Sequence, residues 1–520
     1  MLPATPSFER IALNRVTFGA RSIDEQRAKQ IGWPAWVSEQ LNPPSGDEPE
    51  LEAYLRAQVL HIEYPAYDFM NLSWPAVKKD RPLQWLWSSA ATIYATVRDK
   101  LAFSSVQEQL RPYDELCSAI YIRNAHSRYQ LREFMADFWL NHFSVSANKD
   151  IQGRNQLIVY DRDIVRPNVF GNFRKLLEGI ATSLSMLQYL DNADSQAYQP
   201  NENYARELME LHTLGRDVYL GKNADPGAQG FTDEDIIQAS RALSGWTISK
   251  GQFGGKGPLP DTGEFVFNPY QHNTNAGLCL GFDLSTISDG LAQGRKVLDL
   301  VAAHPATAQF ICTKLCKRIF GDDPPAQAIA RAVAAWNANQ AAPDQIAKVL
   351  RAILLDGNEI GIGPAVKVRR PHERAVAFAR TTGSKVTANE YWVYMLQPVM
   401  DNPFSWPTPD GRPDTNAFWL NTATNVMTWN ILQSLSYSIY AALNYVDATP
   451  PDILASPTRA TEHWVGQMIG YSLSPAAMNA LAGVIDTVNR GYKSDPVFYT
   501  AAIGQQFIAI IATAPEFTLR

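Results

Sequence analysis

The chain has 520 residues, 46% of them hydrophobic and 19% charged, with a formal net charge of −6. This composition is ordinary for a globular protein, and the negative charge argues against a nucleic-acid-binding protein. The sequence contains no apolar stretch of about 18 residues, so we expect no transmembrane segment. The first residues carry no basic-then-apolar export signal. We therefore expect a cytoplasmic protein, or a periplasmic or exported one whose signal is missing from this sequence.

Apolar residues recur at helical spacing through most of the chain. The pattern predicts helices at 130–143 and 170–190, and another that begins at Thr232, a good N-cap followed by acidic residues. Alternating apolar and polar residues, which indicate strands, are scarce. They are found at 263–268, which we predict to be one arm of a short hairpin.

Two long segments without helical spacing interrupt this pattern, at 245–281 and 398–415. Both contain many aromatic residues, which favours ordered and functional loops over disordered ones. We therefore predict that residues 1–520 form a single all-α unit. It would be a large, irregular multi-helix domain with two long ordered loops and at most a short β-hairpin.

The richest candidate site is the predicted helix at 200–215. On a helical wheel, Tyr204, Leu208 and Leu211 form a buried stripe. A neighbouring stripe carries two carboxylates and an amide, with a guanidinium beside them: Glu207, Glu210, Asn203 and Arg206. His212 points away from the two carboxylates, so this helix alone does not form a Glu-Glu-His metal site.

Carboxylates beside a buried stripe must be solvated in a cleft, paired with a cation or bound to a metal. In the functional interpretation, Glu207 and Glu210 are a general acid and base, Arg206 adjusts the pKa of one of them, and Asn203 orients substrate. In the structural interpretation the helix carries an ion-pair network, since Arg206 and Glu210 are spaced i,i+4.

Other segments supply further candidates. Asp137 and Asn141 share a face of the 130–143 helix, and His142 lies beside them among aromatic residues. Convergent polar groups in such a setting are typical of a binding cleft, although a packed, hydrogen-bonded histidine is the commoner arrangement. The candidates in the two loops are Trp246, His272 and Trp406.

The chain resembles the bacterial Domain of Unknown Function 1800 family. The resemblance extends over nearly the whole chain, and it is most specific around Glu207. It rests on these segments: NRVTFG at 14–19, FWLNHF at 138–143, PNENYARELMELHTLG at 200–215, FTDED to GW at 231–246, 310–320, and WLN at 419–421. The resemblance implies a bacterial, often exported protein with a sulfatase-like partner, and it does not imply a settled reaction. Asn273 stands where the family usually has an acid after His272, and the segment around Trp406 also departs from the family pattern.

These features favour an enzyme that acts on a glycan or another small polar substrate. A glycoside hydrolase fits best, because it needs two carboxylates and its sugar substrate stacks on aromatic rings. Two residues on one helix rarely flank opposite faces of a sugar. We therefore expect one of Glu207 and Glu210 to be catalytic, partnered by Asp137, Asp191 or another acid elsewhere, with no cofactor or metal.

Two alternatives remain open at this stage. One is a metal-dependent or redox enzyme that uses Glu and His ligands. The other is a non-catalytic envelope protein that binds polysaccharide or the sulfatase-like partner. In the first, the carboxylates hold a metal. In the second, they stabilise the fold.

Overall fold

The computed structural model describes residues 2–222, 229–251, 258–363, 365–437, 441–442, 445–454, 456–491 and 496–520. It is mostly helical, as predicted. The helices that precede residue 200 are α1 Phe8–Val16, α2 Ser22–Ile31, α3 Trp33–Gln40, α4 Pro49–Arg56, α5 Ala90–Asp99, α6 Val106–His126, α7 Gln130–His142, α8 Ile151–Val159, α9 Arg166–Asn168, α10 Phe173–Ala181 and α11 Leu184–Tyr189.

The remaining helices follow in two groups. Those of the middle of the chain are α12 Glu202–Glu207, α13 Asp233–Leu243, α14 Gly290–Ala303, α15 Pro305–Phe320, α16 Ala326–Ala338, α17 Gln345–Leu355 and α18 Pro371–Thr382. Those of the C-terminal part are α19 Tyr391–Met395, α20 Asn416–Trp419, α21 Thr422–Tyr437, α22 Tyr445–Ala448, α23 Pro451–Leu454, α24 Pro457–Met468, α25 Pro475–Gly491, α26 Pro496–Ala512 and α27 Pro515–Thr518.

The strands form short antiparallel pairs. The pairs are β1 Val59–Tyr64 with β4 Val77–Pro82, β2 Tyr67–Phe69 with β3 Leu72–Trp74, β5 Trp246–Lys250 with β6 Asp261–Phe267, β7 Leu278–Cys279 with β8 Phe282–Asp283, and β9 Lys385–Val386 with β10 Ala441–Ala442. The predicted hairpin arm is β6, and Trp246 of β5 is opposite Phe267. The other pairs were not expected from the sequence. Part of the predicted 245–281 loop, residues 252–257, lies outside the described residues.

The helix α18 is buried along its whole length. Arg370 is its N-cap, and Pro371 occupies the first helical position, where a missing N–H costs nothing. Because the helix is surrounded by protein, its charged residues need partners inside the fold. They find them on α2, on α7, on α15 and in the 398–415 segment.

Candidate functional site

The helix with the two candidate carboxylates begins at a capping residue and ends in a wider turn. Asn201 caps α12, because its side chain accepts a hydrogen bond from the Tyr204 N–H at 3.0 Å. Beyond Glu207 the chain continues as a π-helical turn, Leu208–Thr213. Such turns are rare and are frequently found at functional sites. His212, within this turn, is buried and 1% exposed, whereas Glu207 and Glu210 are half-buried.

Glu207 and Glu210 have different surroundings. Glu210 is paired with Arg206 at 3.3 Å and with Arg216 at 3.1 Å. The Oε2 atom of Glu207 is buried and has no hydrogen-bond partner among the described residues. Burial raises the pKa of Glu207, the neighbouring charge of Glu210 adds to this effect, and Arg216 lowers it. Glu207 is therefore the better proton donor of the two.

The 398–415 segment brings a further carboxylate towards Glu207. Asp410 is exposed, and its charge is close enough to Glu207 to contribute to the raised pKa of the latter. The Tyr189 hydroxyl at the end of α11 donates a hydrogen bond to the Pro407 carbonyl at 3.0 Å. Burial raises the pKa of this tyrosine, and the charges of Asp410 and Glu207 act in the same direction. The carboxyl groups of Glu207 and Asp410 and the hydroxyl of Tyr189 thus come within electrostatic range of each other from three separate segments.

Asn141 fixes the segment that carries Asp410. Its Oδ1 atom accepts a hydrogen bond from the Arg412 N–H at 2.8 Å, and its Nδ2 atom donates to the Arg412 carbonyl at 3.0 Å. Gly411 has φ +75°, and a Cβ atom there would lie 2.2 Å from the Asn141 carbonyl oxygen. Only glycine fits this close approach. Asn141 therefore positions the backbone next to Asp410.

His142 is part of a buried polar chain and does not face solvent. It is 1% exposed. Its Nε2 atom lies 3.1 Å from the His212 carbonyl oxygen, and the Lys314 ammonium lies 3.0 Å from its Nδ1 atom. Burial lowers the pKa of His142 well below its usual range, and the Lys314 charge acts in the same direction. The ring is therefore neutral, donating to the carbonyl and accepting from Lys314.

Asp137 is at the centre of an ion-pair cluster. Its carboxylate contacts Arg318 at 2.9 Å, Arg370 at 2.5 Å and Arg412 at 3.2 Å. Although burial opposes ionisation, Arg370 and the other guanidinium groups lower the pKa of Asp137 to about 2. An acid that is ionised and surrounded by cations is a poor proton donor. The geometry favours a structural role for Asp137.

The other predicted substrate contacts are spread over the molecule. Asn203 is exposed on α12, while Arg206 is paired with Glu210 and, at 3.2 Å, with Asp233. Trp246 is fully buried and packs edge-on against Phe265, a position that a substrate does not reach.

The two remaining candidates lie in the long loops. His272 is 8% exposed, with its ring nitrogens 3.0 Å from the Ser244 carbonyl and 3.0 Å from the Gln293 side chain. His272 therefore stabilises the 245–281 loop. Trp406 is half-buried beside Phe418. Of all the predicted residues, Glu207 keeps the free carboxyl oxygen that an acid catalyst needs.

Sequence reasoning did not single out Asp410, Tyr189 or Lys314. Asp410 lies in the 398–415 loop, which the sequence predicted to be functional. The residue pattern did not indicate which residue of that loop carries the function. Tyr189 and Lys314 lie on helices with ordinary spacing. The relation of Tyr189 to Glu207 and that of Lys314 to His142 both depend on contacts between distant segments.

The described residues contain no group of three or more His, Cys, Asp or Glu side chains that could hold a metal ion. In the same part of the chain, no helix is both long and apolar enough to cross a membrane. The fold and site thus define a mostly helical protein in which an exposed carboxyl group lies within electrostatic range of a partly buried one.

The chain belongs to the family described as Protein of unknown function (DUF1800), whose model matches residues 11–519. No curated protein and no solved structure matches the chain. The expected resemblance is therefore confirmed, and the function must be argued from the site.

Proposed function

We propose that the protein is a glycoside hydrolase in which Glu207 is the general acid and Asp410 is its carboxylate partner. Glycosidases need one carboxyl group that is protonated and a second that is ionised, on separate supports. The observation that carries the proposal is the buried, unpartnered Oε2 atom of Glu207, whose raised pKa is caused by burial and by the charges of Glu210 and Asp410.

The surroundings of the pair support this division of roles. Asp410 is exposed, so water and substrate can reach it, as a base or nucleophile requires. It also comes from a different segment than Glu207, which removes the difficulty of placing two residues of one helix on opposite faces of a sugar. Asn141 and Gly411 would hold this second carboxylate in place. An exported location and a sulfatase-like partner stay predictions that rest on the family resemblance alone.

The test is glycan cleavage by the full chain, measured as reducing-sugar release from a panel of neutral and acidic polysaccharides. Glu207→Gln should lower kcat by about 10²–10⁴-fold, the usual contribution of a general acid. Glu202→Gln is the matched control, because Glu202 is exposed in the first turn of the same helix. This control should keep full activity, and both variants should unfold at nearly the wild-type temperature.

The pH profile separates the two roles. Cleavage requires protonated Glu207, so activity should fall as the pH rises through the raised pKa of this carboxyl group. Glu207→Gln should abolish this dependence, whereas Asp410→Asn should lower kcat and keep it. If wild-type protein cleaves a glycan and both variants remain fully active, the assignment is wrong. If Glu207→Gln loses its fold, rather than its activity in the folded state, the Glu207 carboxyl group has a structural role.

A further inference from the structure

A cavity lined by residues distant in sequence from Glu207 has an excess of negative charge. It has a volume of about 310 Å³ and lies between β1, α6 and the start of α19. Its walls include Arg111, Asp114, Glu390 and Tyr394. None of the residues discussed for the proposed hydrolase lines it.

Asp114 is the unusual residue of this cavity. It is 6% exposed, and within the described part of the chain its carboxylate has neither a hydrogen bond nor an ion pair. The next residue, Glu115, is paired with Arg111 at 2.9 Å. A buried carboxylate without a partner is costly, so its retention next to a cavity points to a ligand that supplies the partner.

The other charges around the cavity are already used. Arg111 binds Glu115 and also donates to the Leu60 carbonyl at 2.8 Å. Glu63 is paired with Lys78 at 2.9 Å. His61 contacts Asp80 at 2.8 Å and, at 3.4 Å, the same Glu63.

Glu390 resembles Asp114 in having no ion pair among the described residues, and it is exposed. Burial raises the pKa of Asp114 to about 7, Glu390 and Glu115 act in the same direction, and Arg111 and Arg154 offset part of the effect. Two carboxylates thus face one cavity without a cation of their own.

We propose that this cavity binds a small organic cation with a primary ammonium group. An ammonium offers three N–H donors, which suits two carboxylates. The Tyr394 ring, 46% exposed at the rim, adds a face on which a cation can rest. The volume is at the lower end of the roughly 300–1,000 Å³ range of small-molecule sites, which fits a ligand of a few carbon atoms. A divalent metal fits less well, because the described residues hold no cluster of three ligands.

The probe is butane-1,4-diamine, titrated calorimetrically into the full chain, with the neutral butane-1,4-diol as its isostere. The diamine should bind and the diol should not. Asp114→Asn should weaken diamine binding at least about tenfold, as expected when a charged partner of a buried ammonium is lost. Glu52→Gln is the matched control, because Glu52 lies outside the cavity and its charge is already paired with Arg56 at 2.6 Å. It should change the affinity less than about twofold, within the range of a screened surface pair.

Acid should weaken the binding. With a pKa of about 7 for Asp114, the ionised fraction falls about tenfold between about pH 8 and about pH 6, and the affinity should fall with it. His61 also lines the cavity, and its hydrogen bonds with Asp80 and Glu63 raise its pKa. The pH dependence is therefore compared between wild-type protein and Asp114→Asn. Asp114→Asn should lack the part of the pH dependence of binding that ionisation of Asp114 contributes.

The unfolding temperature of Asp114→Asn shows whether this variant folds. Removing an unpaired buried charge should raise the unfolding temperature above about pH 7. If Asp114→Asn nevertheless misfolds, Glu390→Gln, which changes an exposed side chain, takes its place and should also weaken the diamine. The proposal is overturned if the diamine does not bind, if the diol binds equally well, if neither Asp114→Asn nor Glu390→Gln changes the affinity, or if calcium chloride binds in place of the diamine.

Discussion

Replacing Asp137 by Asn tests whether the buried ion-pair cluster stabilises the fold. The change keeps the size of the side chain but removes the charge that three guanidinium groups share. Asp137, Glu373 and Asp401 are the acids of the cluster, and they face the guanidinium groups of Arg318, Arg370, Arg412 and Arg520. The replacement therefore leaves two negative charges for four positive ones.

The expected loss of folding free energy follows from these contacts. Breaking a buried ion pair by removing one partner usually costs about 3–5 kcal/mol. Here the cost should be near the lower end, because Arg370 and Arg412 keep Asp401 and Arg318 keeps Glu373. The lowered pKa of Asp137 gives a second value for this loss of stability. A fall from 3.8 to about 2 corresponds to about 2–3 kcal/mol.

The assay is urea-induced unfolding of both proteins across a pH series. At about pH 7, Asp137→Asn should lower the free energy of unfolding by roughly 3 kcal/mol. The Asp137 pKa is depressed in the folded state, so its contribution is complete above about 3.8 and is lost as the pH falls towards about 2. The difference between the two proteins should shrink over that interval. Asp99→Asn, which breaks an exposed pair with Arg98, is the control and should leave the free energy of unfolding nearly unchanged.

Two results would refute this reasoning. A loss smaller than about 1 kcal/mol at neutral pH would mean that the cluster does not stabilise the fold, because that is the range of surface pairs. A loss that stays constant over the acidic interval would mean that the Asp137 pKa is not depressed. A stable, folded variant without glycan cleavage would instead return Asp137 to the candidate catalytic residues.

Two further predictions concern the neighbourhood of Glu207. Gly411→Ala should displace the loop that carries Asp410, with a cost of about 2–4 kcal/mol from the clash and the left-handed backbone together, and proteolysis at 398–415 should become faster. Gly281→Ala is its control, since Gly281 also has a positive φ (+79°) but open space around the added Cβ in the described residues, and its cost should be about 1 kcal/mol. Lys314→Met removes the hydrogen bond to His142, which costs stability at every pH. It should also bring a gain of up to about 3 kcal/mol below about pH 8, because burial lowers the Lys314 pKa to about 8. The unfolded chain keeps its proton up to about 10.5, so this gain should vanish as the pH rises from about 8 to about 10.5, and a gain independent of pH would contradict the depressed pKa.

The sequence predicted the class of fold correctly, because helical spacing is a local property that survives in the structure. The buried stripe of Tyr204, Leu208 and Leu211 is present, and His212 lies away from the acids. The helical wheel assumes about 100° per residue, however, and that holds only as far as Glu207. Beyond it the π-helical turn changes the rotation, and no feature of the residue pattern indicated this turn.

The short strand pairs were missed for a related reason. In β1 the buried residues Leu60, Ile62 and Tyr64 do alternate with exposed ones, but the strand has only six residues, and in its partner β4 most side chains are exposed. Their pairing depends on each other and on α6, which packs against β1 and contributes Arg111 to the Leu60 carbonyl. Such pairing is decided by long-range contacts, which a window of sequence does not contain.

By itself, the sequence determined the helical architecture, the family and the choice of the 200–215 helix as the place to look for chemistry. These follow from residue spacing and composition, which act locally. The tertiary structure alone decided which carboxylate is free. It paired Glu210 with arginines, enclosed Asp137 among guanidinium groups and brought Asp410 towards Glu207. The physical reason is that the pKa of a carboxyl group depends on its burial and on charges from distant segments, and these are fixed only when the chain folds.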